Sequence, residues 1–246
     1  MPEEGLDGAI DKYLPFLDEI RKRLRLLVFL FLGFGVLGFV YYEPIITFSI
    51  QIFRLEGVNI AFTSPFQFIN LAFSSGLAAG LIATLPVVLY QIFSFLRPAL
   101  KRNEYRLLIT LVPLAFLLFT VGFFYGVGVM KYVIGLFYQK STELQITNLL
   151  DISALLSQII VTSSLLGSAF EFPIILTALM KLNFLSYRTV SSQRTVVYFI
   201  CLIFASLLPP TDLLSLALLT LPLIFLFEGT LFLNRVFLGV ESRNRE

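Results

Sequence analysis

The sequence predicts an all-α integral membrane protein with six transmembrane helices, the last two short, and both termini cytoplasmic. Three observations predict it. Of the 246 residues 57% are hydrophobic and the mean hydropathy is +0.88, whereas soluble domains are about 45–50% apolar by a similar count. The apolar residues gather into blocks, and about 20 in succession are enough to cross a bilayer. Of the 18 Lys and Arg, all but Arg54, Lys131 and Lys140 lie in the N-terminal segment, the second and fourth connections, or the C-terminus. The positive-inside rule puts those four segments in the cytoplasm, which requires an even number of spans.

The expected organisation is one transmembrane domain over residues 1–246. Residues 1–23 form a cytoplasmic amphipathic segment, 24–234 the six-span bundle, and 235–246 a cytoplasmic tail. The N-terminus carries Glu3, Glu4, Asp7 and Asp11 ahead of its basic cluster, so it does not read as a cleaved signal peptide. In "FLDEIRKRL", Phe16, Leu17, Ile20 and Leu24 share a helical stripe while Asp18, Glu19, Arg21 and Lys22 lie largely off it. Alone, this reads as an interfacial helix anchoring the first span, about Leu24 to Tyr42.

The second block, Leu71 to Phe95, ends at Arg97-Pro98, where a turn is expected. The third runs from Leu107 to Met130, leaving Lys131 to Asp151 as an outer connection. The fourth, Ile152 to Met180, contains a single charge, Glu171, followed by Pro173 and preceded by Gly167, Ser168 and Ala169. Proline bends a helix, and small residues admit a second helix or water. The fifth block, Thr195 to Leu208, spans only about 21 Å at 1.5 Å per residue. The sixth, Leu213 to Leu233, is interrupted by Glu228. Joined by "PPTD", this pair reads as two short spans that thin the membrane, or as one re-entrant hairpin.

Composition excludes several chemistries. There is no histidine, which removes His-based haem and zinc sites and every Ser–His or Cys–His pair. The single Cys201 makes no internal disulfide. An intramembrane aspartyl hydrolase needs two facing aspartates, and the only candidates, Asp151 and Asp212, sit at span ends. We therefore expect no enzyme, no metal and no cofactor.

Several motifs, in order, carry a family resemblance over nearly the whole chain. "FLDEIRKRL" resembles the "HLxELRxRL" opening of the TatC family, the polytopic receptor subunit of the twin-arginine protein translocase. "SPFQFI" is similar to the segment entering the family's second span. "LPVVLYQIFSFLRPALKRNEYR" is similar to "YQxWxFxxPxLxxxER", "LGSAFEFPI" to "FGxxFExPV", and "LLPPTDLLSLALLTLPLIFLFE" to "TPPDxxSQxxxAxPxxxLxE". The chain departs from those patterns at Phe16 (usually His), at Phe93 (usually Trp), in "PPTD", and near Ile50, where the family carries a proline.

The resemblance implies a receptor for the Arg-Arg signal peptides of folded proteins, exported with the proton-motive force across a bacterial-type cytoplasmic (inner) membrane. It implies TatA- and TatB-like single-span partners, membrane lipid and self-association, and no nucleic acid. It carries arginine binding onto Glu19 and Glu104, two acids in basic segments, with Arg21 and Phe95 beside them. Two carboxylates accept guanidinium forks that an ammonium cannot reproduce. The plainer reading of Glu19 is an i,i+4 pair with Arg23.

Glu171 lies ten residues, about 15 Å, before Lys181. It reads as a hydrogen-bonded structural group, as a proton or ion site of a proton-coupled small-solute transporter, or as part of a wet cavity where partner subunits dock. The resemblance favours the last and groups Glu171 with Asp212 and Glu228. By position alone, Asp212 caps the sixth helix and Glu228 lies at the interface.

Overall fold

The computed structural model describes residues 4–53, 60–61, 66–96, 102–144, 150–182 and 184–236; side chains are described from Asp18 onward except at 49–50, 52–53, 60–61, 96, 103–104, 107–108, 142, 150 and 152. Nine helices make up almost all of it: α1 (Glu4–Val40), α2 (Tyr42–Phe53), α3 (Gln67–Leu96), α4 (Arg102–Glu143), α5 (Ile152–Ala169), α6 (Phe172–Lys181), α7 (Tyr187–Ser192), α8 (Arg194–Ser206) and α9 (Leu213–Val236). One parallel pairing joins β1 (Ile60–Ala61) to β2 (Leu150–Asp151), with Ile60 opposite Leu150. Helices are what hydrocarbon demands, because each satisfies its own backbone donors and acceptors.

Five runs are long and apolar enough to cross a membrane: Asp18–Val40, Gln67–Phe95, Ile109–Ser141, Ser153–Lys181 and Leu213–Val236. The remaining expected block, the fifth, is the shorter helix Arg194–Ser206. Successive blocks alternate in direction. α1 and α3 are antiparallel, since Gly38 lies against Ser75 and Ala79 while Phe31 lies against Gly80. α4 and α5 are antiparallel too, with Gly126 on Ser163 and Gly122 on Phe170. Consequently the basic segments around Arg23, Arg106, Lys181 to Arg194, and Arg235 collect at one end of the bundle. α2, the β1–β2 pair and the α8–α9 turn lie at the other.

α1 runs unbroken from the N-terminal segment into the first span. Two boundaries differ from the sequence reading. α4 is 42 residues long and carries Lys131 and Lys140 in helix rather than in a connection. It continues because Val133 and Ile134 are buried, Ile134 packing with Leu156 and Ile159 of α5. α9 is not short either. Its 24 residues rise about 36 Å and pass through Glu228, whose charge is met by α8. α8, at 13 residues, is short as expected.

The fourth block does break where its proline predicts. α5 ends at Ala169, Glu171 occupies the N-cap of α6, and Pro173 lies in the first turn. Proline offers no N–H to the carbonyl four residues back, so the ladder restarts through Ile174 N–H to the Glu171 carbonyl at 3.0 Å.

Helix α1 buries little and is held to α3 by backbone proximity. A Cβ on Gly76 would stand 2.7 Å from the Gly35 carbonyl oxygen, and one on Gly80 2.8 Å from the Phe31 carbonyl oxygen. Small residues permit such approach, and association in lipid depends on it. At the end opposite the basic segments α3 and α5 are tied: the Ser153 hydroxyl donates to the Gln67 carbonyl at 3.0 Å and Gln67 Nε2 donates to Asp151 Oδ2 at 2.9 Å. Phe170, Leu166, Cys201, Ala205, Leu219 and Leu223 form the core between α5, α8 and α9.

Gly76→Leu is expected to destabilise the bundle by about 1–3 kcal/mol, the usual cost of overpacking, seen as a lower melting temperature in detergent. Gly33→Ala, where nothing lies within 4 Å, leaves the melting temperature within a degree or so of the parent.

Candidate functional site

The densest polar constellation lies where the end of α3 meets the basic part of α1. Glu19 and Arg23 are one helical turn apart, so their side chains meet. Arg23 Nη2 and Nε both donate to Glu19 Oε1, at 2.6 and 3.2 Å. Arg23 Nη1 reaches across to α3 and donates to the Gln91 carbonyl at 2.9 Å and to Gln91 Oε1 at 2.6 Å. Its guanidinium carbon stands 5.7 Å from the centre of the Phe95 ring, within cation–π range. The side chains of Arg23 and Glu19 are 21% and 43% exposed, so the arginine is the sheltered member and the acid the outward one.

Directly beside this cluster is an open hollow of about 600 Å³ lined by Ile20, Leu24, Leu27, Ile92, Phe95 and Leu185, with Arg23 and Gln91 at its polar edge. The hollow exists because α1 leans on α3 through glycines farther along and because the α6–α7 connection, with Phe184 and Leu185, closes one side. A half-exposed carboxylate one hydrogen bond away from an apolar recess can take a cation covalently followed by an apolar segment.

The expected site residues are distributed as follows. Glu19 and Phe95 are together, joined through Arg23. Arg21 is exposed on α1 and has no partner among the described residues. Glu104 stands in the first turn of α4, where an acid is favoured by the helix dipole; its side chain lies outside the described residues. Glu171 is 1% exposed, and neither carboxylate oxygen has a hydrogen-bond partner among the described residues.

Glu228 and Asp212 are each engaged. The Tyr198 hydroxyl donates to Glu228 Oε1 at 2.5 Å, and Arg194 Nη1 stands 3.4 Å from Oε2, closing the α8–α9 hairpin at its inner end. Asp212 caps α9: the Ser215 N–H donates to Oδ1 at 2.9 Å and the Ser215 hydroxyl donates to Oδ2. Burial pushes the Asp212 carboxyl upward, but the Ser215 and backbone hydrogen bonds outweigh it and hold the group below its ordinary value.

Sequence reasoning missed Gln91, Tyr198 and the Asn234–Thr177 bond (2.9 Å) that ties α9 to α6. Each is a polar residue inside an apolar block, and that was the available signal. Arg23 was seen only as a helical neighbour of Glu19, since nothing local tells that it reaches α3.

This arrangement defines a polytopic helical membrane protein with a charged, apolar-floored recess at one helix end. The family model described as Sec-independent protein translocase protein (TatC) matches residues 15–222. The chain is 27% identical over 229 residues to TatCy of Bacillus subtilis (strain 168), covering 90% of this chain and 88% of that one. It is 29% identical over 233 residues to TatC of Aquifex aeolicus (strain VF5), covering 89% and 93%, and 31% identical over 166 residues to TatC of Escherichia coli (strain K12), covering 68% and 64%. A crystal structure described as the twin arginine translocase receptor TatC in DDM superposes with a TM-score of 0.78 at 27% identity, covering 88% of this chain and 98% of that one. The chain belongs to the TatC family and is a multi-pass membrane component of the Sec-independent, twin-arginine protein translocase.

Asp212→Ala is expected to cost about 1 kcal/mol through loss of the cap. A carboxyl lowered by folding contributes stability above its unfolded value and loses it as pH falls through the folded one. The melting-temperature gap between parent and variant, full at about pH 7, therefore narrows below about pH 4.

Proposed function

We propose that this chain is the signal-peptide receptor and core subunit of the translocase, binding the Arg-Arg signal peptides of folded proteins. The observation that carries the reading is the half-exposed Glu19 carboxylate bonded to Arg23, which itself lines the apolar hollow between α1 and α3. A signal peptide offers a positively charged segment followed by an apolar run of 7–15 residues, and the recess offers their complements side by side. Glu104 in the following basic segment supplies the second acid, and Phe95 lies against Arg23 beside the first.

In this reading both termini and the basic end of the bundle face the cytoplasm, the membrane is the bacterial-type inner membrane, and six spans include the short α8. The protein's task is recognition and assembly rather than catalysis, with the proton-motive force as the energy source. TatA- and TatB-like single-span partners dock on the later spans. A second hollow of about 520 Å³, between α4, α6 and α9, supports that assignment; Tyr125, Pro173, Thr177, Pro222 and Gly229 line it. A Cβ on Gly229 would meet nothing within 4 Å, which leaves room for a close helix. Glu171, at the α5–α6 break that forms part of this wall, is the intramembrane polar group we assign to partner assembly.

Binding of a fluorescent twin-arginine signal peptide to detergent-purified protein tests the receptor reading. The Lys-Lys peptide is expected to bind at least about tenfold more weakly, the worth of one charge-assisted hydrogen bond. Glu19→Ala and Glu104→Ala each weaken the Arg-Arg peptide, and the double variant abolishes the preference. Equal binding of both peptides to the parent and all variants would sink the receptor assignment.

A further inference from the structure

Arg23 stands where a substrate guanidinium is expected, in contact with Glu19, yet its own bonds show that it is not a mobile occupant. It makes four hydrogen bonds, two of them to Gln91 on a different helix, and it lies against the Phe95 ring. Pulling it away would strip the Gln91 carbonyl and side chain of a charged donor at a part-buried position. Both of its contacts with the acid fall on Oε1. Among the described residues, Glu19 Oε2 accepts no hydrogen bond.

We propose that Arg23 is a positioning residue that sets the preference for arginine over lysine at Glu19, an inference that rests on the receptor reading above. It does so in two ways. Both bonds it gives the acid fall on Oε1, so Oε2 is left as the acceptor for an incoming cation. A guanidinium brings rigidly directed N–H donors to that oxygen, whereas a lysine ammonium is a compact point charge with rotatable donors. Arg23 also offsets most of the Glu19 charge. An incoming cation therefore gains little from charge alone, and an ammonium, which depends mainly on charge, gains least. Directional bonds to Oε2 are left to decide the outcome. Gln91 is the remote anchor: it holds Arg23 to α3 and so keeps the acid at the rim of the hollow rather than free on α1. Specificity here comes from penalising the wrong cation as much as from rewarding the right one.

The test is binding of fluorescent Arg-Arg and Lys-Lys signal peptides to the full-length protein, comparing the parent with Arg23→Gln, Arg23→Lys and Gln91→Ala. Arg23→Gln is expected to lower the Arg-Arg to Lys-Lys affinity ratio on the order of tenfold, mainly by strengthening Lys-Lys binding to the uncompensated acid. Arg23→Lys restores the charge but not the fork, and so does not restore the ratio. Gln91→Ala leaves Arg23 in place and lowers the ratio less. It also serves as the second variant should Arg23→Gln prove unstable in a melting assay. If the ratio is unchanged in the folded variants, Arg23 is a structural tie only and the proposal is overturned. If Arg23→Gln instead tightens Arg-Arg binding with no loss of preference, Arg23 is a competitor for Glu19, which overturns it too. A parent that does not distinguish the peptides fails the receptor reading itself, an outcome separable from the other two.

Discussion

Hydrocarbon offers no hydrogen bonds, so each crossing segment must satisfy its own backbone and every stray polar side chain must find a partner inside the protein. That constraint makes the molecule helical and pushes its charges to the ends. It also explains where the exceptions sit. Arg23, at the border, is wrapped by Glu19, Gln91 and Phe95. Glu228, partway along α9, is met by Tyr198 and Arg194. These are polar groups kept near the apolar interior at a desolvation cost that only specific contacts offset. Both clusters join one helix to another: Arg23 ties α1 to α3, and Glu228 ties α9 to α8.

Glu171 is the member of this set that the described residues leave unpaired, and it lies at the one place where a span breaks. Its N-cap position, with Pro173 behind it, means that the backbone around it is already interrupted. Intramembrane carboxylates without internal partners are costly and are retained for function. The wide hollow beside the break, between α4, α6 and α9, gives an approaching helix room to meet this part of the wall.

Much of the fold was legible in the sequence because its periods are long. Apolar blocks and the distribution of Lys and Arg locate the crossings, and Pro173 marks the α5–α6 break. Where reading failed, tertiary contact overrode local signals. Glu228 read as an interruption that makes the last span short, because a carboxylate in an apolar run is unfavourable; the facing Tyr198 and Arg194 belong to another helix and cannot be seen from α9 alone. Likewise Lys131 looked like a loop residue, yet burial of Ile134 against α5, and of Val133 in the core shared with α8 and α9, carries α4 onward. At the candidate site, the sequence singled out Glu19 through its basic surroundings and its family motif, and its local pair with Arg23 was foreseen. The link onward to Gln91 was not, because it depends on the glycine-set approach of α1 to α3.

The central claim is that one recess receives both parts of a signal peptide, its arginines at Glu19 and its apolar run in the hollow behind. The most direct measurement is photo-crosslinking with a twin-arginine signal peptide that carries a photoreactive residue in its apolar run, followed by mass-spectrometric mapping of the adducts. The account predicts adducts at Leu24, Leu27, Ile92 and Leu185, lost on competition with unlabelled Arg-Arg peptide and retained against the Lys-Lys form. Adducts confined to the α8–α9 hairpin or to the outer helix α2, with none in the hollow, would contradict it.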